Sequence, residues 1–184
     1  MKIILVCIII YLNFEIIDKG NQGDEVTFCR FQNDDVSSLG IGVAIWNGDL
    51  DTPIKIYATN RLNRVSINFK PESEENVDAC PLFQKTDYGI FHFIVTGNFK
   101  NSLRILYNKD KVGYIKKGEN FEFNRWSTFL TKVVTGVRIK KGKQIFTVIK
   151  VLNEYIYVCD NKNKKLKIRW RKGEKLLIDI FLLE

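Results

Sequence analysis

Hydrophobic residues along much of this chain recur at every second position, in short runs bounded by turn-forming residues. Between Tyr88 and Trp126 four such runs follow one another: Gly89–Thr96, Leu103–Tyr107, Val112–Ile115 and Phe121–Trp126. Gly97-Asn98, Asn108-Lys109-Asp110 and Lys116-Lys117-Gly118 separate them, residue types that accept the backbone angles of tight hairpins. In the first run Phe91, Phe93 and Val95 fall on one side, with His92, Ile94 and Thr96 on the other. A period of two is the mark of a strand.

Before this block, strands are predicted at Val26–Phe31, Gly40–Trp46, Ile54–Ala58 and Val65–Phe69, with Asn47-Gly48-Asp49 as a strong turn. After it they are predicted at Val133–Ile139, Gln144–Leu152, Tyr155–Cys159, Leu166–Trp170 and Leu176–Leu183. Short strands at intervals of about ten residues make an antiparallel all-β sandwich or barrel. Three alanines against abundant Ile, Val, Phe, Tyr and Thr favour the same class. A long polar loop, Lys70–Ala79, carries Glu72, Glu74, Glu75 and Asp78. Their spacing fits no calcium loop, so they read as solvated carboxylates.

Charge divides the chain. Residues 1–99 carry 8 basic and 13 acidic side chains, whereas residues 100–184 carry 21 and 8. One end of the molecule should therefore be positive. Lys164, Lys165, Lys167, Arg169, Arg171 and Lys172 crowd together, with Tyr155, Tyr157 and Trp170 nearby. Such a patch suits phosphate and base contacts, sulfated sugars or acidic membrane surfaces. The structural alternative is plain alternation, with Leu166, Ile168 and Trp170 inward and the cations in water.

Met1-Lys2 followed by the apolar Ile3–Leu12 has the form of a secretory signal, which assigns residues 1–20 to a leader and the protein to the extracellular space. No pair of small residues marks a cleavage site before Gly20. Loss of the leader leaves Cys29, Cys80 and Cys159, enough for one disulfide of unassigned pairing. No Asn-x-Ser/Thr glycosylation site occurs.

Phe31-Gln32-Asn33-Asp34, Gly42-Val43-Ala44-Ile45, Ile54-Lys55-Ile56, Asn63-Arg64-Val65-Ser66-Ile67, Phe91-His92-Phe93-Ile94, Val112-Gly113, Phe123–Trp126 and Val134-Thr135-Gly136-Val137 follow in order. In that order they resemble the motifs of the farnesoic acid O-methyltransferase-like domain, an invertebrate module, over about residues 26–148. The chain departs from the family at its Gly-Gly-Trp, which is Thr59-Asn60-Arg61 here. The resemblance implies a β-sandwich of jelly-roll type at residues 24–148; residues 149–184 exceed it as a C-terminal β extension that either adds strands to the sandwich or forms a small appended sheet. It does not imply methyl transfer. Gly40-x-Gly42 lacks the third glycine and following helix of a cofactor-binding turn, and reads as a bulge or close sheet packing.

No catalytic set emerges. The single histidine, His92, sits mid-strand between phenylalanines, and no cysteine spacing fits a metal. The expectation is a secreted, non-enzymatic binding module with no cofactor or metal. Trp46, Arg61, His92 and Trp126 are its candidate ligand-binding residues, and the reading gains if the fold sets them around a shared concavity and loses if it scatters them through the core. Carbohydrate, an extracellular protein or an anionic surface are the partners in view, and no nucleic acid is expected. The alternative is a protein-docking role, as in a host–pathogen interaction, through the basic C-terminal sheet.

Overall fold

The computed structural model describes residues 37–72, 79–131, 137–141 and 144–182. The leader expected at 1–20, the strand expected at 26–31, Cys7, Cys29 and most of the acidic loop lie outside the described residues. The chain is an antiparallel all-β sandwich, as the alternation predicts.

The first sheet holds β1 (Gly42–Trp46), β2 (Ile54–Tyr57), β3 (Val65–Phe69), β4 (Phe83–Lys85), β5 (Ile90–Asn98), β6 (Ser102–Leu106), β7 (Val112–Lys116) and β8 (Phe121–Arg125). The strand order is β3-β2-β7-β6-β5-β1-β8, with β4 paired to the first residues of β5. Alternation puts Ala44, Trp46, Ile54, Ile56, Phe91, Phe93, Val95, Leu103, Ile105, Ile115 and Phe121 on one face, where they form a single buried cluster. Phe69 on β3 and Phe91 on β5 lie with ring centroids 6.0 Å apart. Four strand spacings separate them in a flat sheet, about 19 Å. The sheet is therefore curled until its inner face closes on itself.

A short helix, α1 (Trp126–Thr131), leads from β8 into the second sheet. That sheet holds β9 (Val137–Lys141), β10 (Gln144–Leu152), β11 (Tyr155–Cys159), β12 (Lys165–Arg169) and, beyond a ribbon of β13 (Arg171–Lys172) and β14 (Lys175–Leu176), β15 (Asp179–Leu182). Its order is β12-β11-β10-β9-β15. The inner face of this sheet brings Ile139, Phe146, Val148, Ile156, Val158 and Ile168 against the back of the first sheet (Val43, Ile45) and α1 (Trp126, Phe129, Leu130). Two cores thus lie on the two sides of the first sheet. The second sheet starts at Val137, and a boundary between residues 148 and 149 would cut β10. Residues 149–182 carry strands of the second layer.

Gly40 and Gly42 mark close packing, as their spacing suggests. Gly40 has φ +55°, and a Cβ there would overlap the Val95 carbonyl; one on Gly42 would overlap the Asn124 carbonyl. The sequence reading differs from the structure at Trp126, which begins α1 instead of ending a strand. Trp126, Phe129 and Leu130 form a helical i, i+3, i+4 face that fills the space between the sheets.

Candidate functional site

The four candidate ligand residues do not share a concavity. Trp46 is packed edge-on against Phe121 in the first core, at 4.9 Å between centroids. His92 and Trp126 face the opposite side of the sheet. The His92 ring lies 6.0 Å from Phe83 and 6.1 Å from Phe129, with 7% of the residue exposed. Trp126 packs 5.9 Å from Phe129 and 5.5 Å from Trp170. Arg61 is exposed in the connection between β2 and β3. The second layer covers the face that would have offered His92 and Trp126 to a ligand.

A surface of a different kind forms on the outer face of the second sheet. Inward-pointing Ile156 and Val158 force Tyr155, Tyr157 and Cys159 outward on β11. On β12, Leu166 and Ile168 point in while Lys165, Lys167 and Arg169 point out. The register then sets three cross-strand rows. Thr147, Cys159 and Lys165 form one; Lys150, Tyr157 and Lys167 the next; Leu152, Tyr155 and Arg169 the third. Tyr155 and Tyr157 remain 39% and 38% exposed. The Lys167 ammonium sits 4.4 Å from the centre of the Tyr155 ring, a cation–π contact.

Lys150 reaches this face through a bulge. Strict alternation after Phe146 and Val148 would turn residue 150 inward. The irregularity between Val148 and Lys150 inserts Ile149 and reverses the parity, leaving Lys150 exposed. The sequence patch therefore omits Lys150 although the fold supplies it.

The cations of the expected patch separate into groups. Lys164 is exposed in the β11–β12 turn, where its N–H caps Asp160 at 2.8 Å. Lys165 and Lys167 have no carboxylate partner among the described residues. Arg169 is held by Glu154, its Nε donating to Oε2 at 3.1 Å and its Nη2 donating to the same oxygen. That hydrogen bond, followed by one from the Gly173 N–H, keeps the Glu154 carboxyl below its ordinary value. Arg171 and Lys172 belong to the separate β13–β14 ribbon, with the Arg171 guanidinium 5.5 Å from the Trp170 ring centre. The binding potential of the face thus rests on Lys150, Lys165 and Lys167 around two tyrosines.

No group of three His, Cys, Asp or Glu side chains able to hold a metal occurs among the described residues. No disulfide joins Cys80, which is buried, to Cys159, which lies on the outer side of β11. The chain matches no known family model, no curated protein and no solved structure.

Proposed function

We propose that this chain is a secreted, non-enzymatic binding module that holds an acidic glycan on the outer face of its second sheet. One observation carries the reading: an exposed tyrosine pair flanked on both sides by lysines with no carboxylate partner among the described residues, arranged in rows across three strands. Lys150 and Lys167 lie two strand spacings apart, about 10 Å between backbones. Sulfates or carboxylates on successive sugars would meet the ammonium groups, and the apolar faces of the rings would lie on Tyr155 and Tyr157. Lysine on a sheet edge is a common guard against unwanted pairing. That explanation serves β12, the edge strand, but not Lys150 on β10 or the tyrosines on β11, which are interior strands. The resemblance to the farnesoic acid O-methyltransferase-like domain leads to the same class of role, a β-sandwich module without methyl transfer.

The test is chromatography of the full chain on an immobilised sulfated glycosaminoglycan. The unaltered protein should be retained, and Lys150→Glu/Lys165→Glu/Lys167→Glu should elute at far lower salt. Tyr155→Ala/Tyr157→Ala should weaken binding with little change in its salt dependence. Retention of the triple variant at the original salt would end the proposal.

Ile145, Ile149 and Leu152, 53%, 48% and 42% exposed on β10, favour a second reading in which β10 docks an acidic protein. Ile145→Ser/Ile149→Ser separates the two, because neither residue stands in the three cross-strand rows, so the change removes protein docking and leaves glycan retention unchanged.

A further inference from the structure

A cleft of about 430 Å³ opens on the first sheet, where the end of β1, the segment before β2, β2 itself and the β7–β8 turn converge. Its volume is that of a small-ligand site, typically about 300–1,000 Å³. Trp46 and Phe121 form an aromatic floor, and both belong to the closed core of the sheet. The walls are polar. Lys55 and Tyr57 come from β2, Lys116 from the end of β7, and Glu119 and Asn120 from the turn, where Asn120 has φ +54°.

Two features distinguish this cleft from an ordinary gap between strand ends. Lys55 has no carboxylate partner among the described residues, and Lys116 is engaged only by Glu119, at 3.1 Å with both side chains more than half exposed. An exposed pair of that kind contributes little and is readily exchanged. Two ammonium groups are therefore available on neighbouring strands.

The second feature is the indole N–H of Trp46. The chain has three tryptophans. Trp126 donates its indole N–H to the Leu39 carbonyl and Trp170 to the Asn153 carbonyl, each at 2.7 Å. Trp46 Nε1 is buried with no acceptor among the described residues. A buried donor left unpaired is costly, and Trp46 is one of the residues that line the cleft.

We infer that this cleft binds a carboxylate-bearing monosaccharide. The ammonium groups of Lys55 and Lys116 take the carboxylate, Tyr57 and Asn120 bond the ring hydroxyls, and the ring sits over Trp46 and Phe121 with an oxygen directed to the indole N–H. The site is separate from the outer face of the second sheet and does not depend on it.

The experiment is a titration of glucuronate into the ¹⁵N-labelled full chain, following the three assigned indole N–H signals. The Trp46 signal should shift and saturate while those of Trp126 and Trp170 stay in place. Lys55→Ala/Lys116→Ala, both at exposed positions, should weaken binding on the order of ten-fold or more, and glucose should bind at least as weakly as that variant binds glucuronate. The triple change at Lys150, Lys165 and Lys167 should leave the titration unaltered, so failure at one surface does not imply failure at the other. Absence of a saturable Trp46 shift, equal binding by the Lys55/Lys116 variant, or glucose binding as tight as glucuronate would each overturn the inference.

Discussion

At Leu39 both backbone polar groups are taken by side chains from distant parts of the chain. Its N–H donates to Glu174 Oε2 at 2.7 Å, and its carbonyl accepts the Trp126 indole N–H at 2.7 Å. The Ser38 hydroxyl donates to the same Glu174 oxygen at 2.8 Å. These bonds tie the start of the first sheet to the β13–β14 turn and to α1. Trp126→Ala should cost about 3–5 kcal/mol through the cavity it leaves. Trp126→Phe, which mainly orphans the Leu39 carbonyl, should cost about 1–3 kcal/mol. Urea unfolding reads both as a lower midpoint at constant slope. The Ser38 hydroxyl foremost, with help from the Leu39 N–H, holds the Glu174 carboxyl below its ordinary 4.5, against an opposing effect of burial that is larger than the Leu39 contribution alone. A carboxyl with a lowered folded-state value stabilises fully above 4.5, and the contribution fades as pH falls through that lowered value. Glu174→Gln should therefore be less stable than the unaltered chain at neutral pH, with the gap closing in acid. A gap that stays constant from pH 7 into acid would refute the clasp. Residues such as Phe91, Phe93, Ile156 and Ile168 were legible as core from parity alone. The enclosure of His92 and Trp126 was not, because alternation shows which face a side chain takes but not what later covers that face.

Among the elements, β10 and β12 divide the explanation of the basic surface. Edge protection accounts for lysines on β12, so the interior strand is the informative one. Lys150→Glu on β10 should weaken glycan retention about as much as Lys167→Glu on β12, since both flank Tyr157 in one row. Retention unchanged in Lys150→Glu, with loss confined to β12, would reduce the face to a charged edge. The bulge at Ile149 is the reason this residue escaped the sequence reading: one inserted residue reverses parity, and nothing in Val148-Ile149-Lys150 announces it. The helix α1 escaped for a related reason. Six residues make under two turns, too few for a clear period, although Trp126 already breaks the odd-numbered parity of Phe121 and Phe123. With three residues, β4 is shorter than any alternation can reveal. Longer strands such as β5 and β10 were legible because nine residues repeat the pattern several times.

Across the whole molecule, the first sheet encloses one core by curling and shares a second with the sheet behind it. The charge division along the sequence becomes a spatial one, because residues 137–182, which include 13 basic and 4 acidic side chains, form the second layer. Its inner face is apolar, so Lys150, Lys165, Lys167 and Arg169 lie on the outer face, beside exposed Lys162 and Lys164 of a turn and Lys172 and Lys175 of the β13–β14 ribbon. A surface of cations and rings is thereby carried by the second layer, while the cleft lies on the first sheet. The most direct measurement is an amide ¹⁵N–¹H titration of the full chain with a sulfated oligosaccharide of defined length. Shifts concentrated at Thr147–Leu152, Tyr155–Cys159 and Lys165–Arg169 are the expected result. Shifts centred on the first sheet, or none at saturating oligosaccharide, would contradict it.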